Sequence, residues 1–117
     1  MGGDTTTVLV VDDDPSLRLL CRVNLELEGF AVVEAGTIAE AEHALENGDV
    51  DVVLLDLHLG NERGIALVPT IEKRGLGSSV ALLTGSPGSR LPQGAIVIPK
   101  PFAIDELTGT VRRLAAS

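Results

Sequence analysis

The chain has 117 residues, 44% hydrophobic and 22% charged, which excludes a disordered chain and suits one domain with a single core. Seventeen acidic against nine basic residues give a formal charge of −8, which opposes direct binding to nucleic acid and favours the capture of cations. No apolar run approaches the roughly 20 residues of a membrane span, Met1-Gly2-Gly3-Asp4 lacks the basic start of a signal peptide, and Cys21 has no second cysteine to pair with. The expected compartment is the cytoplasm.

Residues 1–7 read as a polar tail and residues 8–117 as the domain. Val8-Leu9-Val10-Val11 is a short aliphatic run of the kind buried on both faces of a parallel sheet, and it runs into Asp12-Asp13-Asp14. Asp14-Pro15-Ser16 then starts a helix, with Asp14 at the N-cap and Pro15 at the first helical position. That helix is expected to keep a broad apolar face through Leu17, Leu20, Val23, Leu25 and Leu27, with Cys21 as a small buried hydrophobe among them. Phe30 to Ala35 is a second strand. Thr37-Ile38-Ala39-Glu40 fits a capping box, so a second helix runs to about Asn47-Gly48.

Val52-Val53-Leu54-Leu55 is a third strand ending at Asp56, followed by the glycine-bearing loop Leu57 to Gly64. Pro69 interrupts the next helical pattern, so the third helix either kinks there or begins late, near Val68. Strand four, Val80-Ala81-Leu82-Leu83, ends at Thr84; strand five, Ala95-Ile96-Val97-Ile98, is followed after Pro99 by Lys100. Between them, residues 85–94 include Gly85, Pro87, Gly88, Pro92 and Gly94, so the fourth helix is expected to be reduced or absent. Ile104 to Ala115 closes the chain as an amphipathic helix with Ile104, Leu107, Val111 and Leu114 inward. Alternating strands and helices imply right-handed crossovers and an α/β fold, a parallel sheet covered on both faces.

Alternation alone leaves the strand order open. In the doubly wound, flavodoxin-like order 2-1-3-4-5, strands one and three are neighbours, and Asp12 and Asp13 stand beside Asp56. Clustered carboxylates repel and want a cation, and an oxygen-only set suits Mg²⁺ better than zinc. Neither His43 nor His58 has a partner at ligand spacing. Taken singly, each candidate has an ordinary structural role: Asp13 or Asp14 as a helix cap, Asp56 and Thr84 as turn residues, Lys100 as a solvated charge. Taken together, acids after strands one and three, a hydroxyl after four and an amine after five are the parts that phosphoryl transfer needs.

These residues are also those by which the chain resembles the receiver domain of two-component response regulators. The matching stretches are Val8 to Pro15, Val53-Leu54-Leu55-Asp56-Leu57, Leu82-Leu83-Thr84-Gly85 and Lys100-Pro101-Phe102, in that order along nearly the whole chain. The resemblance implies that Asp56 accepts a phosphoryl group from the phosphohistidine of a sensor kinase or a histidine phosphotransfer protein. It further implies Mg²⁺ held by Asp13 and Asp56, with Asp12 acting through water and the His58 backbone carbonyl as a further ligand. Thr84 and Lys100 would contact phosphoryl oxygens, and the Lys100-Pro101 bond would be cis. His58 and Ser86, two positions beyond Asp56 and Thr84, would flank the path of the hydrolytic water or lie in solvent. The chain departs from the family at Gly60, at Arg63 and at Val97, where the family usually has proline, an acid and an aromatic.

The expectation is therefore a monomeric phosphoacceptor signalling domain with no output domain in this chain, an unknown downstream protein partner, and no enzymatic activity beyond its own phosphorylation and dephosphorylation. An alternative is a protein-interaction module that keeps the fold without being phosphorylated; it has no need of Lys100 among the acids. A third, an Mg²⁺-dependent phosphatase, calls for an acid two positions after the nucleophile, where His58 stands.

Overall fold

Strand residues of alternating parity leave this sheet on opposite sides, and that alternation organises the whole molecule. The computed structural model describes residues 5–77, 79–85, 91 and 95–116. In chain order its elements are β1 (Thr7–Val11), α1 (Pro15–Leu27), β2 (Ala31–Ala35), α2 (Ile38–Asn47), β3 (Val52–Asp56), β4 (His58–Leu59) and β5 (Glu62–Arg63). They continue with a 3₁₀ turn (Gly64–Leu67), α3 (Val68–Lys73), β6 (Val80–Thr84), β7 (Ile96–Pro99) and α4 (Ile104–Ala116). Five strands form one parallel sheet in the order β2-β1-β3-β6-β7. With the β4-β5 ribbon set apart, this is the doubly wound order 2-1-3-4-5.

Val8, Val10, Val52, Leu54, Ala81 and Leu83 point to one face, where Cys21 and Leu25 of α1 and Leu107 and Val111 of α4 cover them. Leu9, Val11, Val53, Leu55 and Leu82 point to the other, under Ala41 and Leu45 of α2 and Ile71 of α3. Burial pushes the Cys21 thiol up to about 11, so this cysteine is a packed hydrophobe, as its neighbours in sequence suggest.

Local signals place the helices. The Asp14 carboxylate accepts from the Ser16 amide (2.9 Å) at the start of α1, and the Thr37 hydroxyl accepts from the Glu40 amide (3.1 Å) at the start of α2. The capping box closes on a different donor: Glu40 reaches back to the amide of Gly36 (2.7 Å) rather than that of Thr37. Helix α3 begins late, at Val68, after the 3₁₀ turn, with Pro69 in its first turn, where a missing N–H costs nothing.

Two expectations need correction. The loop Leu57 to Gly64 contains the antiparallel ribbon β4-β5, in which His58 pairs with Arg63 and Leu59 with Glu62; Gly60 turns it at φ +59°. The single broad apolar face of α1 is in fact two. Leu17, Cys21 and Leu25 recur every four residues and face the sheet, whereas Leu19, Leu20, Val23 and Leu27 lie within about 100° of arc on the solvent side and are 47–79% exposed. The expected reduction of the fourth helix falls on residues 86–90 and 92–94, which lie outside the described residues, as does Ser86.

Candidate functional site

The carboxyl ends of β1, β3 and β6 and the turn after β7 meet at one edge of the sheet. Asp12 and Asp13 leave β1, and Asp56 ends β3, one strand over. One carboxylate oxygen from each of the three lies within 4.8 Å of the others. Asp12 and Asp56 are buried and Asp13 is exposed, so the cluster opens to solvent on the Asp13 side. Asp14 is spent on the α1 cap.

Lys100 lies across the two buried acids. Its Nζ is 2.9 Å from Asp12 Oδ2 and 3.2 Å from Asp56 Oδ2. The lysine is aimed by its backbone, whose amide donates to the Thr84 carbonyl (2.8 Å), and the Lys100-Pro101 bond is cis. Thr84 ends β6 and is itself buried. Among the described residues, the ion pairs of the cluster set one ammonium against three carboxylates, an excess of negative charge.

The electrostatics follow from burial. Asp56 is held above the ordinary carboxylate range, chiefly because burial strips its water; the nearby Asp12 charge adds to this, while the His58 amide and Lys100 oppose it. Burial would lower Lys100, but hydrogen bonding and attraction to Asp12, then Asp56, outweigh it and hold the ammonium above its usual range.

An oxygen-only donor set fits a hard cation. Octahedral Mg²⁺ takes oxygens at about 2.0–2.1 Å, so its shell spans roughly 4.2 Å across. The observed separation, up to 4.8 Å, is close to that span. The carboxylate oxygens already accept one bond each from Asp14 N, Lys100 Nζ, His58 N and Gly60 N, and each keeps a lone pair for a further partner.

Three supporting residues escape a reading of the sequence. Gly60 donates its amide to Asp13 Oδ2 (2.9 Å), tying the ribbon to the β1 terminus. Gly64 packs against the backbone of the acid-bearing strand so closely that a Cβ there would stand 1.9 Å from the Asp56 carbonyl. Arg18 donates from its guanidinium to the Asp12 carbonyl (2.6 Å). Glycines in a loop were visible as turn residues, but a close approach to another strand leaves no local signal. His58 has its side chain in solvent and contributes its amide to Asp56 Oδ1 (3.1 Å).

Comparison with known proteins agrees with this architecture. The sequence profile of the response regulator receiver domain matches residues 8–112. A protein of Haloferax volcanii is 40% identical over 111 residues, covering 92% of this chain and 19% of its own. The transcriptional regulatory protein KdpE of Mycobacterium tuberculosis is 36% identical over 114 residues, covering 92% of this chain and 50% of its own. This chain thus spans half or less of the length of these relatives. Among solved structures, the non-phosphorylated HemR receiver domain of Leptospira biflexa is 30% identical, with a TM-score of 0.85 over 97% of this chain and 96% of that one. A profile match over most of the chain and the doubly wound sheet with acids at its switch point make it a receiver domain of the two-component response regulator family.

Proposed function

We propose that this receiver domain, residues 8–117, is a phosphoacceptor whose acceptor is Asp56. The observation that carries this reading is Lys100 bridging Asp12 and Asp56 at the end of the sheet, a cation held among acids where a transferred phosphoryl group would need it. An Asp56 carboxylate oxygen attacks the phosphorus of a phosphohistidine, the N–P bond breaks, and the imidazole leaves with the bonding pair. Burial removes water from the attacking carboxylate, and the His58 amide fixes its orientation. Lys100 then exchanges part of its contact with Asp56 for a phosphoryl oxygen, and the Thr84 hydroxyl donates to another. Asp13 and Asp56, the His58 carbonyl, and Asp12 through water would hold Mg²⁺. When bound, Mg²⁺ offsets the charge on the phosphoryl oxygens.

The donor in this reading is a sensor histidine kinase or a histidine phosphotransfer protein in the cytoplasm, and the exposed apolar strip on α1 is the surface that meets it. A net charge of −8 disfavours DNA as a direct partner. The deciding experiment is intact mass after incubation with acetyl phosphate. The expected result is one added phosphoryl group in the wild type, lost in EDTA and absent in Asp56→Asn. Stoichiometric modification of Asp56→Asn would overturn the acceptor assignment, and an unmodified wild type would leave the domain as an interaction module.

A further inference from the structure

We propose that Arg18, oriented by Glu34, is a positioning residue for the Asp12–Asp13 pair; this deepens the phosphoacceptor reading and rests on it. The carbonyl that Arg18 holds at 2.6 Å belongs to the peptide joining Asp12 to Asp13. Fixing that peptide plane fixes the directions in which both side chains leave the chain. The other side of Asp12 is also tied, since its amide donates to the Ala35 carbonyl (3.0 Å).

The guanidinium is itself held. Its Nε pairs with Glu34 of β2 (3.1 Å), the residue opposite Val10 in the β1-β2 register, and both side chains are largely shielded from solvent. Arg22 takes the other Glu34 oxygen (2.8 Å), so the carboxylate is fixed from two sides. Gly36 leaves room for the fork: a Cβ there would come within 3.0 Å of the Arg18 terminal nitrogen. A planar fork that satisfies a carbonyl and a carboxylate together transmits a direction, which a flexible ammonium does less well. Because Glu34 matches its charge, Arg18 orients the acids without neutralising them.

Charge and position predict opposite signs. Removing a positive charge beside an acidic cluster tightens cation binding through the field alone. Releasing the Asp12–Asp13 peptide weakens it, because the carboxylates lose a common focus. The test is calorimetric titration of Mg²⁺ into the full chain as wild type, Arg18→Met and Arg22→Met. Arg18→Met should weaken Mg²⁺ about tenfold, the scale of losing a partner that orients a metal ligand. Arg22→Met, which touches Glu34 but not Asp12, should stay within about twofold of wild type, since an exposed ion pair contributes little. With acetyl phosphate, Arg18→Met should need more Mg²⁺ for half-maximal modification of Asp56 and approach the wild-type rate at saturation. If Arg18→Met is not folded by circular dichroism, Arg18→Lys replaces it: the charge is kept, so the field alone predicts no change, while loss of the planar fork predicts a smaller weakening.

Mg²⁺ affinity in Arg18→Met, or in Arg18→Lys where that variant stands in, equal to or tighter than wild type overturns the proposal. So does an equal loss in Arg22→Met. A wild type that binds Mg²⁺ but takes no phosphoryl group, while Arg18→Met binds Mg²⁺ more weakly, would leave the clamp standing and remove the phosphoacceptor reading.

Discussion

Asp56 and Lys100 titrate in ways that set the stability of the metal-free domain. Because burial raises Asp56 above 3.8, the folded chain holds its proton more tightly than the unfolded one. Stability must therefore fall as pH rises upward from 3.8 through the folded value. Lys100 acts in alkali: its folded value lies above 10.5, so its contribution is full below 10.5 and disappears as pH rises through that folded value. In EDTA, Asp56→Asn should melt several degrees above wild type at pH 7, and thermal scans from pH 4 to 7 should lose the acid-side decline due to this residue. A variant that melts at or below wild type would mean that the His58 amide and Lys100 outweigh the burial of Asp56 and its repulsion from Asp12. The acids, Thr84 and Lys100 were legible because each closes an aliphatic run; Arg18 was hidden because its partner, the Asp12 carbonyl, is main chain and its anchor lies 16 residues away on an edge strand.

At the scale of elements, α1 has two apolar sides with different roles. The inward one is spaced every fourth residue and is part of the core; the outward one is largely exposed among the described residues. Our hypothesis that the outward strip meets the phosphodonor protein predicts a split. Leu20→Glu combined with Leu27→Glu should reduce phosphotransfer from a histidine-phosphorylated protein at least tenfold, yet leave modification by acetyl phosphate unchanged and stability within about 0.5 kcal/mol. Equal loss with both donors would place the defect in the fold. Sequence periodicity found the helix but merged its sides, because Leu and Val look alike whichever way they point. The start of the 3₁₀ turn after β5 gives a second test. Gly64→Ala drives a methyl into the Asp56 carbonyl and should cost about 3 kcal/mol in urea unfolding, whereas Gly75→Ala has open space and meets only its positive φ of 77°, about 1–2 kcal/mol. Equal costs would show that backbone conformation, not the close approach, governs both positions.

For the whole molecule, alternation alone leaves open whether β3 lies beside β1; the doubly wound order is the one that brings the acids after strands one and three together, and it is the order the sheet has. What stayed out of reach were contacts between elements that carry no side-chain signal, such as the Gly60 amide on Asp13 and Glu62 accepting from the Ile38 amide (3.1 Å) at the start of α2. The same layout has a consequence for how the chain folds. Asp12 and the lysine that bridges it are 88 positions apart. If β1 and β3 pair before residue 100 is available, their carboxylates meet with no ammonium between them. Closing so long a loop is slow and entropically costly. Any folding intermediate that joins those strands early therefore carries their repulsion unrelieved, and the segment after the last strand is the one that removes it.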